Sequence, residues 1–232
     1  MKAWILVFCF CIVVGSSFAQ FAGGSGTESD PWQVATAEHL DNVRSYLGSS
    51  HSNKYFIQTA DINLGEAPWN MGEGWIPIGG HSQSFRGNFN GNQHIIMGLT
   101  IKKGYYTALF GGIEGATISN LGLENVNVHG GQGSAALIGD CRSSIVDNCY
   151  CTGIVKGEAG LIADMYNSYL FNSYVDCELI NYSRTLGLVG SISSSTVRNS
   201  FYNYDTVLVD GEKVMSIGAL PNDMFTSWLN NG

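Results

Sequence analysis

The chain has 232 residues, 30 of them Gly, is 44% hydrophobic and 13% charged, and carries a formal net charge of −8. So much apolar surface excludes a disordered tail, the absence of a running Gly-X-Y triplet excludes collagen, and abundant Gly argues against long helices, since an interior Gly costs about 1 kcal/mol relative to Ala. A compact, turn-dense, β-rich protein remains, and its acidity argues against nucleic acid as a partner, because phosphate binding draws on a basic stripe.

Residues 1–19 read as an export signal: Lys2 is the positive start, Ala3 to Gly15 form an apolar stretch, and Ser17 and Ala19 place small residues at a cleavage site. The stretch is shorter than the roughly 20 residues a membrane span needs. No later segment approaches that length, so no span is expected in the mature chain and the expected location is secreted or cell-surface. Removal of the signal leaves 213 residues with a formal charge of −9 and four cysteines, Cys141, Cys149, Cys151 and Cys177. Export permits disulfides, but four cysteines in this length do not make a disulfide scaffold.

Residues 20–52 open with a Gly/Ser loop, Gly23 to Gly26. A helix follows in which Thr36 is the N-cap, Ala37, Leu40, Val43 and Leu47 share one face, and Gly48 is the stop. Such a helix would cover the unpaired edge at the end of a sheet. From residue 53, Tyr55–Gln58 and Asp61–Leu64 read as short strands and Phe85–Gly91 as tight turns. His94–Ile101 then reads as a strand with Gly98 at a corner taken later by Asn.

A repeat runs through the middle. Ala108-Leu109-Phe110-Gly111 returns as Ala136-Leu137-Ile138-Gly139, Gly160-Leu161-Ile162-Ala163 and Gly187-Leu188-Val189-Gly190, the leucines being 28, 24 and 27 residues apart. Asn120, Asn148, Asn172 and Asn199 each stand 11 residues after their leucine. A period this long, punctuated by Gly and Asn, holds one solenoid coil of short strands. Leucine-rich repeats would need more leucines per unit, and propeller blades run longer. The expected fold is therefore all-β: a right-handed parallel β-helix over residues 53–211, with an N-terminal capping helix. Residues 212–232 form a C-terminal cap or linker, and Pro221–Leu229, apolar at Met224, Phe225 and Trp228, is the candidate second cap.

Stacked coils would set the four asparagines in an internal ladder of amides. Beyond each Asn, the strand should turn Leu121/Leu123, Cys149/Cys151, Ser173/Val175 and Ser200/Tyr202 inward and Gly122, Tyr150, Tyr174 and Phe201 outward. Tyr150, Tyr174 and Phe201 would thus form an exposed aromatic column. The rings are either a platform for sugars or simply stabilise the coil by stacking on one another.

With the repeat in hand, the chain resembles bacterial surface proteins carrying GLUG motifs. Gly187-Leu188-Val189-Gly190 matches in full, and the resemblance extends to Asp61–Leu64, Trp75–Gly79, Phe85–Leu99 and Asn148–Gly153, over roughly residues 23–210. It implies a right-handed β-helix in an exported, often adhesin-like protein. Some immunoglobulin A metallopeptidases carry such repeats beside their catalytic domain. Their His-Glu-x-x-His is missing here, since none of His39, His51, His81, His94 and His129 is followed by Glu, so the peptidase activity is not implied.

For catalysis on this scaffold the candidates are Asp140 and Asp164, each three residues after its leucine, with Gly112 and Ser191 in the flanking coils. Stacking would bring the carboxylates near enough for a retaining glycosidase pair or half a calcium site; the plain alternative is two turn residues. Arg142 is the one cation nearby in sequence. The histidines lack metal-ligand spacing, no cofactor is expected, and Gly130-Gly131-Gln132-Gly133, without a following Lys-Ser/Thr, is a turn and no phosphate loop. Cys149 and Cys151 read as inward core residues, with a Cys151–Cys177 bond conceivable, and Asn181-Tyr182-Ser183 is a glycosylation sequon. The expectation is an exported, non-catalytic module for adhesion or interaction with a surface glycan or protein. A polysaccharide lyase or glycoside hydrolase and a purely structural spacer are the alternatives.

Overall fold

The computed structural model describes residues 20–102 and 104–231, with the side chains of residues 181–184 left aside; the export signal and the sequon side chains lie outside the described part. The chain winds into a mostly β, parallel solenoid of about six turns with a short N-terminal helix. One wall is a sheet of Phe110–Glu114, Ile138–Arg142, Ile162–Tyr166 and Val189–Ser193, each parallel to the next. The larger sheet wraps the remaining walls through Thr117–His129, Ile145–Ala159 and Tyr174–Leu186.

The repeat sets this register. Phe110, Ile138, Ile162 and Val189, the third residues of the four tetrapeptides, are direct neighbours across the first wall. Leu109, Leu137, Leu161 and Leu188 before them are fully buried, so successive coils stack Leu on Leu along the axis. The tetrapeptide Gly holds a close approach between coils: a Cβ on Gly139 would lie 2.7 Å from the Gly111 carbonyl oxygen. Leu121, Leu123, Cys149, Cys151, Ser173, Val175, Ser200 and Tyr202 all face the core, as alternation requires.

At the N-terminus, Thr36 Oγ1 accepts the His39 N–H at 3.2 Å, starting the helix Ala37–Asn42, which runs into a 3₁₀ turn at Val43–Ser45. Ala37, Leu40 and Val43 are buried. Trp32–Val34 pairs parallel with Phe56–Gln58 to form the first rung.

Three expectations are corrected. Phe85–Gly91 is no run of turns: Asn88–Asn90 is a strand between Tyr55–Ile57 and Thr117–Ser119, because Phe85 and Phe89 bury their rings in the core. Gly98 is not the counterpart of Asn120. Ile96 pairs with Leu123, which brings Gly98 (φ 71°) beside the next corner at Asn125 (φ 53°). The C-terminal helix Asn222–Asn231 exists, but its buried Phe225 and its Trp228 pack on Tyr174 and Phe201, the flank of two successive coils. Parallel pairing also runs on past residue 211, Ala219–Leu220 joining Phe201–Asn203 at Tyr202–Asn203.

Candidate functional site

The ladder asparagines are corner residues. Asn120, Asn148, Asn172 and Asn199 have φ of 54°, 53°, 48° and 48°, a left-handed conformation that Asn tolerates better than other non-Gly residues. That conformation turns their side chains outward, so the ladder is external and the expected internal one is overturned. Its first rung is Asn90: Asn120 Nδ2 donates to Asn90 Oδ1 at 3.0 Å, and Asn148 Nδ2 to Asn120 Oδ1 at 2.8 Å. Above Asn148 the pattern breaks, because Asn172 Nδ2 donates to Asp147 Oδ1 (2.7 Å) instead. It resumes from Asn199 Nδ2 to Asn172 Oδ1 at 2.7 Å, and Trp228 Nε1 donates to Asn199 Oδ1 at 2.5 Å.

The buried polar columns lie just inside. Ser144, Ser168 and Ser195 follow left-handed residues at one corner, and Cys149, Ser173 and Ser200 follow the ladder asparagines at another. Each hydroxyl donates to the carbonyl two residues back, as Ser173 does to Phe171 (2.6 Å), and accepts the N–H of the coil before, as Ser173 does from Cys149 (3.1 Å). Ser144, Ser168, Ser195 and Ser200 repeat this arrangement. The sequence signal was Ser143-Ser144, Asn167-Ser168 and Ser194-Ser195 at the repeat spacing.

Tyr150 and Tyr174 are in register and stack at 4.9 Å with planes 3° apart, and Phe201 follows Tyr174. The column is half-buried and does not form an open face. Tyr150 Oη donates to Glu124 Oε1 at 2.7 Å, while Phe225 and Trp228 meet the edge of the column at Tyr174 and Phe201 because they too have apolar surface to bury. Burial first, then the Glu124 partner, push the Tyr150 phenol well above its ordinary range.

Asp140 and Asp164 are register neighbours, flanked by Gly112 and Ser191. They stand on strands, Asp140 buried and Asp164 half-buried, so the turn reading is corrected. Arg142 Nε holds both oxygens of Asp140 (3.0 and 2.9 Å), and His81 Nδ1, from an upstream loop that sequence spacing did not connect, lies 3.4 Å from Asp140 Oδ2. The His81 ring stacks on Tyr106 at 5.8 Å. Tyr106, Arg142, Tyr166 and the two aspartates line a cleft of about 250 Å³. Desolvation, then Glu158 and Asp140, raise the Asp164 carboxyl above its ordinary value.

The four cysteines among the described residues, Cys141, Cys149, Cys151 and Cys177, are free and buried. Cys177 Sγ lies 3.4 Å from Cys151 Sγ, and burial pushes the Cys141 and Cys149 thiols up to about 12. Among the described residues no helix is long and apolar enough to cross a membrane.

No family model matches the sequence. A protein of Evansella cellulosilytica named "Putative Gly-rich membrane protein" is 39% identical over 136 residues, 55% of this chain and 15% of that protein. Halomucin of Haloquadratum walsbyi is 30% identical over 172 residues, 72% of this chain and 2% of halomucin. The chain thus spans only a small part of the length of these relatives. Among solved structures, the one described as "a putative immunoglobulin A1 protease from Bacteroides ovatus" superposes with a TM-score of 0.56 at 17% identity, covering 91% of this chain and 90% of that one. At that identity the likeness is one of fold, a β-solenoid shared along nearly the whole length.

Proposed function

We propose that this chain is a non-catalytic β-solenoid module of an exported surface or secreted protein, presenting the flank of its stacked coils as an adhesion or interaction surface for a glycan or a protein. The observation that carries this reading is that similar sequence forms 15% of one long protein named as a membrane protein and 2% of halomucin, so these coils serve elsewhere as a piece of longer chains. The export signal read at residues 1–19 and the acidic composition support it. The test is binding of the purified chain to arrayed glycans and to immobilised surface proteins. Saturable binding without turnover is expected, and a chain that binds neither is a spacer.

The competing hydrolytic reading is favoured by one arrangement, Asp140 held by Arg142 beside Asp164 with its raised carboxyl. The raised Asp164 carboxyl suits a general acid, and Asp140, oriented by the Arg142 guanidinium, suits a nucleophile. Incubation with neutral and acidic polysaccharides decides it: release of reducing ends, lost in Asp164→Asn, would replace the module reading.

A further inference from the structure

We propose that the groove between the asparagine ladder and the C-terminal helix is a binding site for a neutral saccharide. The inference rests on the reading of the chain as an interaction module and names the surface and the class of ligand. Asp147, Asn148, Asn172, Asn199, Tyr174 and Trp228 line a groove of about 480 Å³, a size proper to small-molecule sites.

The groove lies where the ladder breaks. Asn172 gives its amide to Asp147, so among the described residues Asn148 Oδ1 and the second Asp147 oxygen receive no side-chain donor. Two acceptors therefore stand side by side on the groove wall, ready for the hydroxyl donors of a sugar. The opposite wall is aromatic. Trp228 is held by its N–H on Asn199 (2.5 Å) and by edge contacts with Phe201 (5.0 Å) and Tyr174 (6.3 Å). An indole fixed in this way offers a preorganised apolar surface to the C–H face of a pyranose at little entropic cost. Asp147 is the charged side chain of the lining, so a carboxylated or sulfated sugar would meet an uncompensated like charge, whereas a neutral one gains its hydrogen bonds. The tyrosine column read from the sequence supplies one wall through Tyr174, while its remaining rings serve packing.

The experiment uses the purified chain on an array of neutral cello-, xylo-, manno-, galacto- and N-acetylchito-oligosaccharides with acidic oligosaccharides as comparison, followed by titration calorimetry. Binding of a neutral oligosaccharide is expected, weakened about tenfold or more by Trp228→Ala and by Asn148→Gly. Asn148→Gly keeps the backbone conformation while removing the acceptor, so it remains informative if Trp228→Ala undocks the helix; circular dichroism checks folding of both. Neutral-glycan binding that survives both substitutions, or a preference for acidic sugars, overturns the groove and leaves the module reading standing. A silent array with binding to a protein does the same, whereas no binding to either removes both.

Discussion

The indole N–H of Trp228 donates to Asn199 Oδ1 at 2.5 Å, joining the C-terminal helix to the last rung of the asparagine ladder. A second tie holds the helix start, where Asp205 Oδ2 accepts the Asn222 N–H (2.7 Å). Trp228→Phe removes the donor and keeps an aromatic ring over Phe201. It is expected to cost about 0.5–1.5 kcal/mol, the ordinary net worth of such a bond, and Trp228→Ala on the order of 2 kcal/mol through lost packing. Urea unfolding followed by circular dichroism measures both. A Phe variant as stable as wild type would mean the N–H contributes nothing, and equal costs would mean the ring packing does not.

Ser173→Ala tests the inner columns. It strands the buried Cys149 N–H, which now has Ser173 Oγ as acceptor at 3.1 Å, and should cost about 1–3 kcal/mol. Ser173→Cys copies the thiol that Cys149 places at the same position one coil earlier, where it meets the Leu121 N–H, and should cost less. A neutral Ala variant would show that the columns are ornamental to stability.

Gly122→Ala tests the start of the aromatic column. A Cβ there would lie 2.5 Å from the Tyr150 ring, so the ring must leave both its stack on Tyr174 and its bond to Glu124. A loss of about 1–3 kcal/mol is expected, and the phenol should titrate closer to its ordinary value, read by ultraviolet absorbance against pH. In Gly122→Ala/Tyr150→Ala the two costs should not add, since the clash disappears with the ring.

Asp164→Asn carries a pH signature. Its carboxyl is raised in the folded chain, by desolvation first and then by Glu158 and Asp140, so the folded state binds that proton more tightly than the unfolded one. Wild-type stability therefore gains as pH falls through the raised value, and the gain is complete below the ordinary 3.8. Asn removes the penalty: the variant should melt higher than wild type at neutral pH, with the difference closing below pH 3.8. A difference independent of pH would assign the effect to packing.

The coil was legible because Leu109, Leu137, Leu161 and Leu188 keep a fixed offset to an asparagine, and both positions are set by backbone geometry, one by the core and one by a left-handed corner. The early coil was misaligned because Gly98 and Asn120 both occupy corners, and a sequence does not say which of two corners a residue turns. The common offset from Leu137 and Leu161 placed Asp140 beside Asp164, but His81 arrives from a loop outside the period and was invisible. The C-terminal helix showed its apolar stripe in Phe225 and Trp228; where that stripe lands depends on the flank built by Tyr174 and Phe201, which no local pattern encodes.

The serine columns make the stack directional. In each, the amide of one coil is completed by a hydroxyl that arrives with the next: Ala116 by Ser144, Ser144 by Ser168, Ser168 by Ser195. Deleting a later coil would strand a buried donor in the one before it, whereas deleting an earlier coil would leave only an idle lone pair. Unravelling should thus propagate more readily from the C-terminal side, and a whole coil can be spliced into the stack so long as it brings its own serine for the coil that precedes it.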